Sequence, residues 1–419
     1  MSSGRLSEIL SGSAETRPAL LEGRWLGHED DCCLAASTPC SVLEGNAGSL
    51  AELPPWLEKH ARQFPDGAAI GFLAYELARS FERLSLRIHP GLPDFSFAYY
   101  PCLEVIPNSV GTPPNPGHFP SGEFTAEFDR EKFHAAVGKI REYIAAGDIY
   151  QANLTQQCVI RLNGAGPEAI YQRLTEGRAP FRAFLKSPCG AIVSASPERF
   201  FRVSSGRILA SPIKGTISRS GEPQLDRKRA AALLASAKDR AENVMIVDLL
   251  RNDLGRVCHY ESIRARLWEI ESLPHLLHLV SHVEGRLKPG IGPLEILRAL
   301  FPCGSITGAP KIRAMEILAE IEAVPRGVSM GAIGVMRGAP ESTQFEMDFN
   351  VAIRTMTIQK DIATFNVGCG IVYDSGPQAE FEEMLLKARP LAKALGVGLS
   401  DDGPEFGAHQ PPNPAVVRS

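Results

Sequence analysis

Hydrophobic positions along the chain change period several times, and each period predicts an element. Residues 69–78 form a mostly apolar run, readable as a buried strand or a helix. Phe133, Val137, Ile140 and Ile144 recur at helical spacing, with Asp129 placed to cap the start and Gly147 suited to the end. Strands are predicted over 158–162, 191–203 and 207–217. A long helix is predicted from about 225 to 250, closing near Gly255. After Gly304 a turn leads into a helix with Pro310 at its first position. Residues 349–358 alternate as a strand, and 363–373 read as another. The last periodic segment, 378–395, places Phe381, Met384, Leu385, Ala388 and Leu391 on one face, with Pro390 expected to kink it.

Residues 107–122 hold five Pro and three Gly and mark the best candidate boundary. The expected organisation is an amino-terminal region over 1–125, a catalytic region over 126–397 and a polar, Pro-rich tail over 398–419, expected to be disordered. Strands and helices mix without regular βαβα alternation, which predicts an α+β fold rather than a doubly wound sheet.

Composition narrows the function. In 419 residues, 44% are hydrophobic and 22% charged, enough to bury a substantial core. The net charge of −4 supplies no basic field for a phosphate backbone, which argues against general nucleic-acid binding. No run reaches the roughly 18 apolar residues of a membrane span, and the first ten residues hold no apolar signal core. The nine cysteines are odd in number and contain no C-x-x-C pair, so neither a zinc site nor a disulfide framework is expected. A reducing cytoplasm is the expected location. No G-x-G-x-x-G, Walker loop, H-E-x-x-H or G-x-S-x-G occurs, which disfavours a standard dehydrogenase, ATPase or serine hydrolase.

Several residues could carry chemistry. On the last helix Glu380, Glu383 and Lys387 share a side bordering the apolar face, and Glu382 points away. Such carboxylates suit a hard cation, but on this helix alone a Glu383–Lys387 ion pair is the stronger reading. Asp239 and Glu242 offer a second acidic pair, with Glu242 on the face of Ile246 and Leu249, where an unpaired charge is costly. The turn Gly304-Ser305-Ile306-Thr307-Gly308-Ala309-Pro310-Lys311 opens a helix and could hold an anion or be a plain capped turn. Gly368-Cys369-Gly370 lets a ligand approach backbone or marks a bulge. Arg354, in an otherwise apolar or small strand, calls for a carboxylate from protein or ligand. Lys214 is a nucleophile if desolvated and a solvated loop residue otherwise. Glu198 is a general acid or half of an Arg pair, and His278 reads first as a satisfied core residue.

These segments together resemble the chorismate-utilising enzymes, in that family's order: GDIYQANLTQ (147–156), SPERF (196–200), SPIKGT (211–216), KDRAENVMIVDLLRND (238–253), HLVS (278–281), FPCGSITGAPKIRAMEI (301–317), VAIRT (351–355) and GCGIVYDSGPQAEFEEMLLKA (368–388). IGFLAYELAR (70–79) and Ala19-Leu20-Leu21-Glu22 resemble the family's amino-terminal half more loosely. The resemblance implies an anthranilate-synthase-component-I-like β-sandwich core, antiparallel or mixed, with helices outside and the amino-terminal half packed around the catalytic half.

It also implies chorismate as substrate and magnesium as cofactor. Two positions separate the family's branches. Isochorismate and salicylate synthases carry a water-activating Lys where this chain has Gln151, an amide that cannot be that base. Anthranilate synthases have Ala where this chain has Lys214, which is similar to the aminodeoxychorismate synthase component I branch. In that branch the implied roles are Lys214 as covalent nucleophile, Glu198 as acid and His278 beside the departing hydroxyl. Glu242 and Glu383, with Asp239 and Glu380 behind, are implied for the metal. Arg354, Lys387, Thr307, Gly308, Gln151 and the Gly368, Cys369 and Gly370 backbone are implied for the substrate.

A glutamine amidotransferase subunit is the implied ammonia donor, with a separate lyase downstream. Leu20-Leu21-Glu22 is similar to a tryptophan site of the family, although relatives often continue with Ser and this chain with Gly23. Val335 stands where relatives usually have a substrate-contacting Tyr, which removes a donor. The competing expectations are anthranilate synthase component I and a non-catalytic binder of chorismate or tryptophan.

Overall fold

The computed structural model describes residues 2–28, 32–107, 124–174, 179–273, 275–338 and 345–399. The boundary expected over 107–122 lies outside these residues but for Pro107, as does the tail from 400. Leu399 still packs on the core.

The strands form two ten-stranded antiparallel sheets. The first runs Gly308–Ala309, Gln151–Arg161, Ile362–Ile371, Thr355–Gln359, Gly190–Ser196, Phe181–Ser187, Ala19–Gly23, Cys32–Ala36 and Glu104–Pro107, with Phe124–Ala126 beside Gln151–Arg161. The second runs Ile213–Ser218, Leu276–Arg286, Arg207–Ala210, Arg199–Ser204, Phe345–Val351, Ala332–Gly338, Ala68–Leu73, Phe95–Tyr100 and Ser41–Gly45, with Arg264–Ser272 along Leu276–Arg286. The α+β expectation holds. Amino-terminal strands complete both sheets, so the two halves share a β framework. The cores are apolar, and all nine cysteines are free thiols.

Two predicted strands are each broken where the chain changes sheet. The 191–203 run is Gly190–Ser196 in one sheet and Arg199–Ser204 in the other. The 349–358 run is Phe345–Val351 and Thr355–Gln359, again in different sheets. These crossovers lie side by side. Ser196 Oγ donates to the Val351 carbonyl at 2.6 Å, the Val351 amide donates to the Glu198 carbonyl at 3.0 Å, and the Ala195 amide donates to the Arg354 carbonyl at 3.1 Å. Glu198 and Arg354 therefore sit at a double crossover, and Arg354 takes a left-handed φ of 48° rather than a strand conformation.

The helices follow their apolar faces. Arg130–Ala145 starts at Asp129, whose carboxylate accepts from the Lys132 amide at 2.8 Å, and buries Phe133, Val137 and Ile140. Phe133 meets Phe381 of the Pro377–Ala394 helix edge-on at 5.5 Å, and that helix continues past Pro390. The predicted 225–250 helix is two, Pro223–Ala235 and Ala237–Val257, because Ser236 leaves helical geometry and its hydroxyl caps the second. The 69–78 run is a strand, Ala68–Leu73, followed by a short 3-10 turn. Pro310 lies one position outside the Lys311–Ile321 helix, as its N-cap.

Candidate active site

The site gathers around the Ile213–Ser218 strand. Lys214 Nζ lies 3.9 Å from Glu242 Oε2, which projects from the Ala237–Val257 helix. A methyl added to Gly370 would stand 3.5 Å from Lys214 Nζ and would collide with Gln151 Nε2. Three segments far apart in sequence thus converge on one amine. Gln151 is buried at the start of its strand, and its Oε1 has no hydrogen-bond partner.

Glu198 is buried and its Oε1 is likewise unpartnered. Burial pushes its carboxyl up to about 7, and the Ser305 hydroxyl, the Lys214 charge and the Ile213 amide only partly offset this. His278 is buried on the Leu276–Arg286 strand. Burial, with the Arg354 charge adding to it, pulls its imidazole down to about 4. Its Nδ1 meets Thr216 Oγ1 at 2.7 Å, and its Nε2 is the third unpartnered buried atom of this region. Burial also lowers the Arg354 guanidinium, for which no carboxylate partner stands among the described residues. Buried polar atoms without partners are costly unless a ligand or water meets them.

Of the acidic residues on the two long helices, Glu242 and Glu383 stand close enough for their charges to interact. Burial raises the Glu242 carboxyl, with Asp239 and Glu383 adding to the rise while Lys214 and Lys238 oppose it. On Glu383 burial is outweighed by Lys387, Lys238 and Lys214, and its carboxyl lies below the ordinary value. Oxygens of Glu380 and Glu383 and the Cys369 sulfur lie within 4.8 Å of one another. Cys369 is no partner for a hard cation: burial raises its thiol, which donates to the Glu380 carbonyl at 3.2 Å. The remaining donors are all carboxylate oxygens, the set that suits magnesium. Ser375 Oγ donates to Glu380 Oε1 at 2.7 Å and fixes that buried carboxylate.

The substrate residues inferred from sequence divide. The Thr355–Gln359 strand stops pairing at Phe365, which leaves one edge of Gly368–Gly370 open on the side of Arg354. Cys369 turns its side chain into the core, so only its backbone can reach a ligand. Lys387 pairs with Glu383 at 2.8 Å, as the last helix alone suggests, and donates to the Gly368 carbonyl at 2.9 Å. Thr307 is buried and turns its hydroxyl back onto the Cys303 carbonyl at 3.1 Å, so it shapes the turn. Gly308, at φ 152°, packs so closely on the Gln151 carbonyl that no side chain fits. The turn's helix is not an open anion site at Lys311, whose ammonium is held by Asp253 at 2.6 Å. Val335 is fully buried in an apolar cluster with Leu21 and Ile192. Glu22, of the segment similar to a tryptophan site, is buried against Arg182 at 2.5 Å and Tyr171 at 2.6 Å.

Sequence reasoning missed Ser305, Thr216, Ser375 and a buried clamp. Arg326 bonds Glu322 at 2.7 and 2.8 Å and holds the Ile306 and Asn153 carbonyls at 2.8 Å each, beside Thr307 and Gln151. Its only signal in sequence was a Glu-x-x-x-Arg spacing, common on any surface helix.

Residues 36–393 match the family model described as chorismate binding enzyme. Aminodeoxychorismate synthase component 1 of Escherichia coli K12 is 37% identical over 80% of this chain and 79% of its own length. Anthranilate synthase component 1 of Methanothermobacter thermautotrophicus is 34% identical over 81% and 77%. The crystal structure of anthranilate synthase component I from Streptococcus pneumoniae TIGR4 superposes with a TM-score of 0.74 at 28% identity, covering 86% of this chain and 92% of that one.

Proposed function

Because the chain belongs to the family of chorismate binding enzymes, we propose that it is an aminodeoxychorismate synthase component I, which turns chorismate and ammonia into 4-amino-4-deoxychorismate. The observation that carries this reading is the placement of the Lys214 amine beside the Gln151 side chain and close enough to the buried, unpartnered Glu198 carboxyl for its charge to act on it. An amine here supplies covalent catalysis, whereas Gln151 cannot deprotonate water.

The Lys214 amine, in its neutral form, attacks C2 of the ring, the double bonds shift, the C4 hydroxyl leaves as water with the proton of Glu198, and the proton shed by the substituted Lys nitrogen returns to the Glu198 carboxylate. Hydroxide is a poor leaving group, so the acid must hold its proton near neutral pH, as burial of Glu198 favours. Ammonia then attacks C4, the double bonds shift back, and the Lys amine departs with a proton shed by the new C4 ammonium. One difficult displacement becomes two easier ones. Glu242 and Glu383, backed by Asp239 and Glu380, would hold magnesium, which when bound neutralises the ring carboxylate. Arg354 and the open Gly368–Gly370 edge receive substrate carboxylates. Free ammonia is scarce near neutral pH, so a glutamine amidotransferase subunit is the partner we propose as its source, in the cytoplasm.

The test is product analysis of the purified chain with chorismate, magnesium and an ammonium salt, beside Lys214→Ala. Formation of 4-amino-4-deoxychorismate, with a loss on the order of 100-fold or more in the variant, supports the reading. Anthranilate as the main product would place the chain with anthranilate synthase. Chorismate bound but unconsumed would make it a binder.

A further inference from the structure

His278 is the buried ring whose protonation pattern the site leaves to a single neighbour. The Ile213–Ser218 strand pairs with Leu276–Arg286 as Ile213↔Val280, and regular antiparallel pairing would then set residue 215 opposite His278. A bulge at Gly215, with φ 89°, adds one residue and brings Thr216 there instead. Thr216 Oγ1 consequently lies 2.7 Å from His278 Nδ1, while Nε2 stays buried without a partner.

A neutral imidazole carries one N–H, and the bond made by one nitrogen decides which. A threonine hydroxyl both donates and accepts, so two arrangements exist. If Nδ1–H donates to Oγ1, Nε2 presents a bare lone pair. If Oγ1–H donates to Nδ1, Nε2–H points into the site. We infer that Thr216 is a positioning residue that donates to His278 Nδ1 and so holds the ring as the Nε2–H tautomer. This rests on the reading above: chorismate offers two carboxylates and an ether that only accept, and a C4 hydroxyl whose oxygen must gain a proton as it departs, and a buried Nε2–H is the form that meets them. Arg354 is the charged neighbour acting on the ring, and its cation helps to keep the imidazole neutral.

The experiment uses the full chain with 15N-labelled histidine, free of substrate. Long-range proton–nitrogen correlation assigns the tautomer, and the His278 signals are identified by their loss in His278→Gln. The wild type and Thr216→Ser are expected as Nε2–H, and Thr216→Val as a shift toward Nδ1–H. In turnover, Thr216→Val should lower kcat about 10-fold, with KM for chorismate within about twofold and Thr216→Ser close to wild type. An Nδ1–H wild type, or an unchanged tautomer in a well-folded Thr216→Val of reduced kcat, overturns the inference. If Thr216→Val does not fold, the wild-type and Thr216→Ser spectra decide alone. Absence of aminated product from the wild type would overturn the amination reading, while the spectrum still decides the tautomer.

Discussion

Lys214 Nζ and Glu242 Oε2 stand 3.9 Å apart, which joins the strand that carries the candidate nucleophile to the helix that carries a candidate metal ligand. On the proposed reading the amine and the ligand share one charge neighbourhood. Changes at either element should therefore appear in both binding and turnover.

Gly370→Ala should block the reaction while sparing the fold. The added methyl collides with the flexible end of Gln151 and reaches the neighbourhood of Lys214 Nζ. We expect the amination rate to fall about 100-fold, with an unchanged urea midpoint. Steady-state kinetics beside equilibrium unfolding checks this, and equal loss of both would place Gly370 among structural residues.

Glu198 should make both stability and activity depend on pH. In the folded chain its carboxyl keeps a proton to about pH 7, and in the unfolded chain only to its ordinary 4.5. Its contribution is complete below 4.5 and is lost as pH rises through 7, an effect of up to about 3 kcal/mol. Glu198→Gln should therefore gain stability on wild type between pH 5 and 8, measured by denaturant unfolding at both. With rates corrected for free ammonia, kcat/KM of the wild type should fall above about pH 7 as the acid ionises.

Ser375→Ala frees the Glu380 carboxylate that Ser375 Oγ holds at 2.7 Å. If Glu380 supports a magnesium site, the apparent affinity for the metal should fall about 10-fold or more. Activity titrated with magnesium reads this directly. An unchanged midpoint would remove Glu380 from the metal's surroundings.

Glu322→Ala strands the buried Arg326 guanidinium, which Glu322 meets at 2.7 and 2.8 Å. Breaking a buried pair by removing one partner costs about 3–5 kcal/mol. Urea unfolding should show that loss. Because Arg326 also holds the Ile306 and Asn153 carbonyls, residual activity should show a raised KM as well.

Local signals in the sequence determined much of this protein. The Arg130–Ala145 helix, its Asp129 cap and its buried face were legible because helical spacing and capping are short-range. The α+β class followed from the mixture of periods, and the long ordered motifs were enough to name the candidate residues. Where those residues stand was decided by tertiary structure. A strand pattern records which side of the chain is apolar, and that pattern continues through a switch from one sheet to the other. The breaks at Pro197–Glu198 and Ala352–Arg354 were therefore invisible, although they create the double crossover that buries Glu198 and aims Arg354. Likewise, no local rule tells a thiol facing the core from one facing a ligand, as at Cys369. Nor does one place Thr216 opposite His278, which takes a bulge and a neighbouring strand more than sixty residues away. Burial and charge at such points are sums over distant segments, and only the packed chain fixes them.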